Sequence, residues 1–114
     1  MTNSLKLWVD DERPAPDDSW VHAKTSESAI SHLYMAGVPA IMDDIEEISL
    51  DHDLGGDDTG FKVLDWMISW DCWPKELTIH TSNRAARERM LAAANAEAPE
   101  WVNISIIYDH LRKA

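Results

Sequence analysis

Leu5-Lys-Leu-Trp-Val-Asp-Asp11 ends an apolar run on two adjacent carboxylates, as a buried strand does when it reaches the edge of a sheet. The same figure recurs downstream. Ile48-Ser-Leu50 runs into Asp51-His-Asp-Leu-Gly-Gly56, and Leu77-Thr-Ile79 runs into His80-Thr-Ser-Asn83. Three short apolar segments thus deliver polar, chemistry-bearing residues at their carboxyl ends. That pattern decides the fold, because in an α/β domain the ligand site lies outside the carboxyl ends of parallel strands.

The segments between them fit. Arg13 to Ser19 holds two prolines among turn formers and reads as a loop. Trp20-Val-His-Ala23 reads as a short second strand. Thr25 or Ser26 can cap a helix whose Ala29, Ile30, Leu33 and Tyr34 share one face before Gly37 stops it. Pro39 to Asp44 is a connector. Phe61, Leu64, Met67 and Ile68 form a second helical stripe, widened by Val63, Trp66 and Trp70, with Thr59 as its cap and Pro74 beyond its end. An Ala-rich helix is expected from Arg84 to about Ala96, capped by Asn83 or Ser82. Val102 to Ile107 is a fifth strand, with a last helical turn near His110. The expectation is one α/β domain over residues 1–114, a parallel five-stranded sheet with helices on both faces.

Composition bounds the function. At 114 residues the chain is below the ~150 of a typical domain, and 45% hydrophobic residues with 4 Gly and 5 Pro are incompatible with a disordered or fibrous chain. The first residues lack a secretory pattern, no run nears the ~20 apolar residues of a membrane span, and the lone Cys72 suits a reducing compartment. A cytoplasmic location is expected. Ten basic against 21 acidic residues give a net charge of -11, which disfavours duplex DNA and anionic membranes. The excess lies in the first 58 residues, which hold 14 acidic and 3 basic residues; the remainder holds 7 of each.

On one sheet edge, Asp10, Asp11 and Asp51 would repel one another; two unit charges ~4 Å apart cost about 4 kcal/mol at an effective dielectric near 20. A cation relieves that cost. Hard carboxylate oxygens without thiolate match Mg²⁺, Mn²⁺ or Ca²⁺ better than zinc. The helix starting at Arg84 offers free N–H groups to an anion, and His52 and His80 can exchange a proton near neutral pH. Each piece also has a bland reading. Asp10-Asp11 suits a turn, His80 a satisfied core histidine, Ser82 and Asn83 a helix cap, Arg87 and Arg89 solvated surface, and Trp66, Trp70 and Trp73 packing.

The order of strand, acidic pair, third Asp and hydroxyl resembles the receiver domains of two-component signalling. Leu50-Asp51 followed by Thr59-Gly-Phe-Lys-Val-Leu64 looks like the phosphoacceptor stretch, and Thr81 or Ser82 matches the switch hydroxyl. Two features depart from it. Tyr108-Asp109 follows the fifth strand where a receiver has Lys, and a Pro-rich loop replaces the first helix; His52 and His80 are also foreign to the pattern. Leu7-Trp-Val-Asp-Asp-Glu-Arg-Pro-Ala-Pro16, Trp20-Val-His-Ala23, Ser49-Leu-Asp-His-Asp-Leu-Gly55, Thr59-Gly60 and His80-Thr-Ser-Asn83 closely resemble the cyclic-phosphate processing receiver domain family, across most of the chain to Met90.

That resemblance implies a flavodoxin-like fold and a metal-dependent reaction on a cyclic phosphate of a nucleotide or RNA end. It makes Asp10, Asp11 and Asp51 ligands of Mg²⁺ or Mn²⁺, Asp53 a further ligand or base, and His52 and His80 the acid–base candidates. Arg13, Ser82, Asn83 and Arg84 would hold the phosphate, and the nucleophile is water or Asp51. A non-catalytic module that binds a nucleotide or regulates a partner is the alternative, and a degenerate signalling receiver a third. Nothing in the sequence sets an oligomeric state.

Overall fold

The computed structural model describes residues 5–37 and 45–107; the connector expected over 39–44 and the helical turn expected near His110 lie outside them. In chain order the elements are β1 (Leu5–Val9), β2 (Val21–Ala23), α1 (Ser26–Gly37), β3 (Ile45–Leu50), α2 (Gly60–Trp70), β4 (Glu76–Ile79), α3 (Arg84–Glu97) and β5 (Asn103–Ile106). The five strands are all parallel, in the order β2-β1-β3-β4-β5. This is the flavodoxin-like order, in which the chain reverses direction across the sheet between β1 and β3.

Parallel strands need right-handed crossovers. The connections β2 to β3, β3 to β4 and β4 to β5 all run the same way across the sheet, so α1, α2 and α3 fall on one face. There Leu7, Val9, Ile48, Leu50, Leu77 and Ile79 pack with Ala29, Leu33, Val63, Leu64, Met67, Met90 and Ala94 in one apolar cluster. Each fully buried Leu or Ile contributes about 1.5–3 kcal/mol. The step from β1 to β2 runs the other way, and the loop with Pro14 and Pro16 makes it. Trp8 Nε1 donates to the Arg13 carbonyl at 2.9 Å, and the Trp20 ring meets Trp8 edge-on at 5.8 Å. This loop therefore folds over the second face. Among the described residues helices thus cover one face of the sheet, not the two that the sequence reading expects, because the connection that would carry a helix to the second face is the Pro-rich loop.

Several details differ from the sequence reading. β3 begins at Ile45 rather than Ile48, because a register shift at Leu5/Lys6 lets Ile45 pair with Leu5 while Glu47 pairs with Lys6. This bulge breaks the alternation that marks a strand. Thr59 occupies the N-cap position of α2 but makes no side-chain cap hydrogen bond. Thr25 caps α1, accepting the Ser28 N–H at 3.0 Å, and Asn83 caps α3, accepting the Ala86 N–H at 3.1 Å. Trp73 is buried, while Trp70 is half exposed, stacked on Trp66 and edge-on to Tyr34. No helix among the described residues is long and apolar enough to cross a membrane.

Candidate functional site

The parallel ladder continues one residue past the strands. Asp10 N–H donates to the Ala23 carbonyl at 3.1 Å, Asp51 N–H to Val9 at 2.9 Å, and His80 N–H to Leu50 at 2.9 Å. Asp10, Asp51 and His80 are therefore fixed at one level of the carboxyl edge by backbone bonds. One carboxylate oxygen from each of Asp10, Asp11 and Asp51 lies within 4.8 Å of the others. They border a cleft of about 320 Å³ with Arg13, Asp53 and Ser82, joined by Glu12 and Gly55. That volume lies within the roughly 300–1,000 Å³ of small-ligand clefts.

Asp10 is fully enclosed. Its Oδ1 accepts the N–H groups of Glu12 at 2.8 Å and Arg13 at 2.9 Å; its Oδ2 accepts His80 Nε2 at 3.0 Å and Arg13 Nε at 3.2 Å. Burial pushes the carboxyl upward, but the His80 bond, the two backbone N–H groups and the Arg13 side chain together hold it well below the ordinary carboxylate range. Asp51 goes the other way. Burial raises it, the Asp10 charge adds to that, and a Thr81 hydrogen bond with the nearby His80 and Arg13 side chains offsets only part. Asp51 thus carries a cost of burial first and of the Asp10 charge second, and a hard cation among three carboxylates suits this donor set.

His80 is 2% exposed. Its ring stacks on Trp8 at 3.9 Å and 9°, its Nδ1 meets Ser49 Oγ at 2.8 Å, and its Nε2 meets Asp10. Because Asp10 is ionised, Nε2 carries the proton and donates; in the neutral ring, Ser49 then donates to Nδ1. His80 thus holds Asp10 and does not border the cleft. His22 Nε2 donates to the Asp10 carbonyl at 2.7 Å, a second hold on the same residue.

The loop after β3 is tied down at several points. Leu54 N–H donates to Asp58 and Asp58 N–H to Gly55, at 3.1 and 3.0 Å, while Asp53 bridges Thr59. Asp58 accepts Ser26 N–H at 2.8 Å and Ser26 Oγ–H at 2.6 Å, joining this loop to the start of α1. Two glycines have structural reasons. A Cβ on Gly60 would overlap the Asp51 carbonyl oxygen, and Gly55, at φ +91°, lies where a Cβ would stand 3.2 Å from Asp11 Oδ2. His52 Nδ1 meets Asp53 Oδ1 at 3.0 Å, with the imidazole mostly covered and Asp53 exposed.

Of the residues singled out in the sequence, Asp10, Asp11, Asp51, Asp53, Arg13 and Ser82 come together around the cleft, which neither His52 nor His80 borders. The Asn83 side-chain oxygen Oδ1 accepts the Ala86 N–H of the α3 cap, and Asn83 does not border the cleft. Arg84 is largely exposed and pairs with Glu88 at 3.4 Å. Cys72 is buried, and burial with the nearby Asp71 charge pushes its thiol up to about 11, away from thiolate chemistry. Ser49, Trp8, His22 and Asp58 were not assigned to the site from the sequence. Trp8, His22 and Ser49 lie within the stretches that resemble the family, and Ser49 also stands out as a polar residue between two core positions of β3.

A parallel sheet in this order with an acidic carboxyl edge defines a receiver-like domain. The chain belongs to the cyclic-phosphate processing receiver domain family, whose model matches residues 5–96. No match is found among curated proteins, nor among solved structures.

Proposed function

We propose that this protein is a metal-dependent phosphoesterase that processes a cyclic phosphate on a nucleotide or an RNA end. The observation that carries the reading is the meeting of three carboxylates, a guanidinium and a hydroxyl in one cleft, in a chain of this family. Asp10, Asp11 and Asp51 would hold Mg²⁺ or Mn²⁺, which supplies Lewis-acid polarisation of a phosphoryl oxygen. Arg13 and Ser82 donate to the phosphate oxygens, and the first turn of α3 turns its positive end to the same side. His80 and His22 keep Asp10 in place. His52 is braced through Nδ1 by Asp53, which leaves Nε2 for proton exchange, and because His52 does not border the cleft that exchange with the leaving oxygen would run through an intervening water.

The test is calorimetry with Mg²⁺ and Mn²⁺ on the wild type, Asp10→Asn and Asp51→Asn, followed by ³¹P NMR of metal-loaded protein with 2′,3′- and 3′,5′-cyclic mononucleotides, cyclic dinucleotides and RNA ending in a 2′,3′-cyclic phosphate. Metal binding lost in both variants and opening of one cyclic phosphate are expected. Ring opening that is absent throughout this set removes the catalytic reading.

One observation favours a second reading, a non-catalytic binding module: neither His52 nor His80 borders the cleft. It expects metal-assisted binding of the cyclic phosphate with the ligand recovered intact.

A further inference from the structure

Arg13 stands where a cation is wanted. Its Nε lies 3.2 Å from Asp10 Oδ2, its Nη2 lies 3.8 Å from Asp51 Oδ2, and the same Nη2 donates to the His80 carbonyl at 3.3 Å. The guanidinium thus bridges two of the three carboxylates. We propose that Arg13 is an internal counter-ion that occupies the cation's place in the metal-free protein and is displaced by the metal towards the phosphate, so that metal and phosphate bind in an ordered, coupled way. The inference rests on the reading of Asp10, Asp11 and Asp51 as a metal centre.

A carboxylate offers about four acceptor positions. On Asp10 two are taken by backbone N–H groups of its own turn, a third by His80, which Trp8 and Ser49 hold in place, and the fourth by Arg13 Nε. Of the two side chains that donate to Asp10, His80 is packed and buried, whereas Arg13 is 38% exposed and its tip is held by a 3.3 Å bond to the His80 carbonyl and a 3.8 Å approach to Asp51. A metal that takes Asp10 Oδ2 therefore removes Arg13 Nε. The freed guanidinium lies at the same cleft and carries the fork geometry that matches phosphate oxygens. By linkage, whatever raises phosphate affinity when metal binds raises metal affinity equally when phosphate binds.

Opposed effects of one substitution follow. Arg13→Gln binds Mg²⁺ about tenfold more tightly than the wild type, the scale of one part-exposed charge-assisted hydrogen bond, and binds inorganic phosphate more weakly in the presence of Mg²⁺. Arg13→Lys, which keeps the charge without the fork, falls between. A merely structural role predicts weaker binding of both ligands. Calorimetry of Mg²⁺, then of inorganic phosphate with and without Mg²⁺, on the wild type and both variants reads this directly. In the wild type, the Arg13 Nε–H resonance must also shift and exchange faster with water as Mg²⁺ is added, a readout independent of how any variant folds.

Equal or weaker Mg²⁺ binding by Arg13→Gln, or an unmoved Arg13 resonance while Mg²⁺ binds, overturns the proposal and leaves the metal centre standing. Mg²⁺ binding that persists unchanged in Asp10→Asn and Asp51→Asn removes the metal centre itself. Absence of Mg²⁺ binding in wild type and Arg13→Gln alike overturns both.

Discussion

Neighbouring residues on the same strands have opposite tasks on the two faces of the sheet. Leu7, Val9, Ile48, Leu50, Leu77 and Ile79 face the helices and form the apolar cluster. Between them, Trp8, Ser49 and His80 face the other way, equally buried yet joined by a stack and hydrogen bonds that end on Asp10. The first face holds the fold through non-directional burial, which tolerates small shifts of shape. The second depends on polar groups whose partners must all be present, because an unpaired buried donor or acceptor costs its full desolvation. Period-two alternation allows one strand to do both.

Substitutions on the two faces should therefore fail differently. Ile48→Ala is expected to cost about 3 kcal/mol by cavity formation, read in urea denaturation, with the Mg²⁺ affinity of the folded protein unchanged. A parallel loss of Mg²⁺ affinity would break the division between the faces. His80→Ala is expected to cost about 2 kcal/mol, because Asp10 loses a buried donor, and also to weaken Mg²⁺ binding at least about tenfold, as loss of a partner behind a ligand does. Stability lost with Mg²⁺ affinity intact would make His80 a packing residue only.

A smaller effect separates the site's edge from its floor. Asp58→Ala removes the acceptor of the Ser26 N–H and hydroxyl and should cost about 1 kcal/mol, with hydrogen exchange accelerated at the start of α1 and little change in the sheet. Exchange that rises equally in β1 and β3 would show the loop and the floor to be one unit.

The pH response sharpens the comparison further, since the two central carboxylates shift in opposite directions. Asp10 is held below its ordinary value, so its contribution is present above pH ~4 and is lost as pH falls through its lowered value. Asp51 is raised, so its ionisation weakens the metal-free fold as pH climbs from ~4 through the raised value. Denaturation midpoints followed from pH 3 to pH 7 should thus show Asp10→Asn losing less than the wild type on acidification, and Asp51→Asn more stable than the wild type at neutral pH without metal. The reverse order would mean that Arg13 fully neutralises Asp51.

The fold was legible because its signals are local. Apolar runs that stop at Asp10, Asp51 and His80, a Pro-rich segment and the helical stripes each occupy a few consecutive residues. Where a local rule was broken, reading stopped short: the bulge at Leu5/Lys6 concealed the start of β3. Thr59 matches the residue type of a cap but does not act as one, because the turn there is organised by Asp58, which accepts the Thr59 N–H at 3.1 Å.

The site divides along the same line. The amino-acid sequence by itself determined which residues end each strand, and hence that Asp10, Asp11 and Asp51 share an edge with Arg13, Asp53 and Ser82, since parallel strands bring their carboxyl ends together. Only the tertiary structure decided what each does there. Whether His80 meets solvent or Asp10, whether Arg13 lies beside a phosphate or between two carboxylates, and which loop Asp58 anchors depend on contacts between residues 32 to 70 positions apart, made by Ser26 with Asp58 and His80 with Asp10 at the extremes. Those contacts are set by strand order and packing, which no local pattern records.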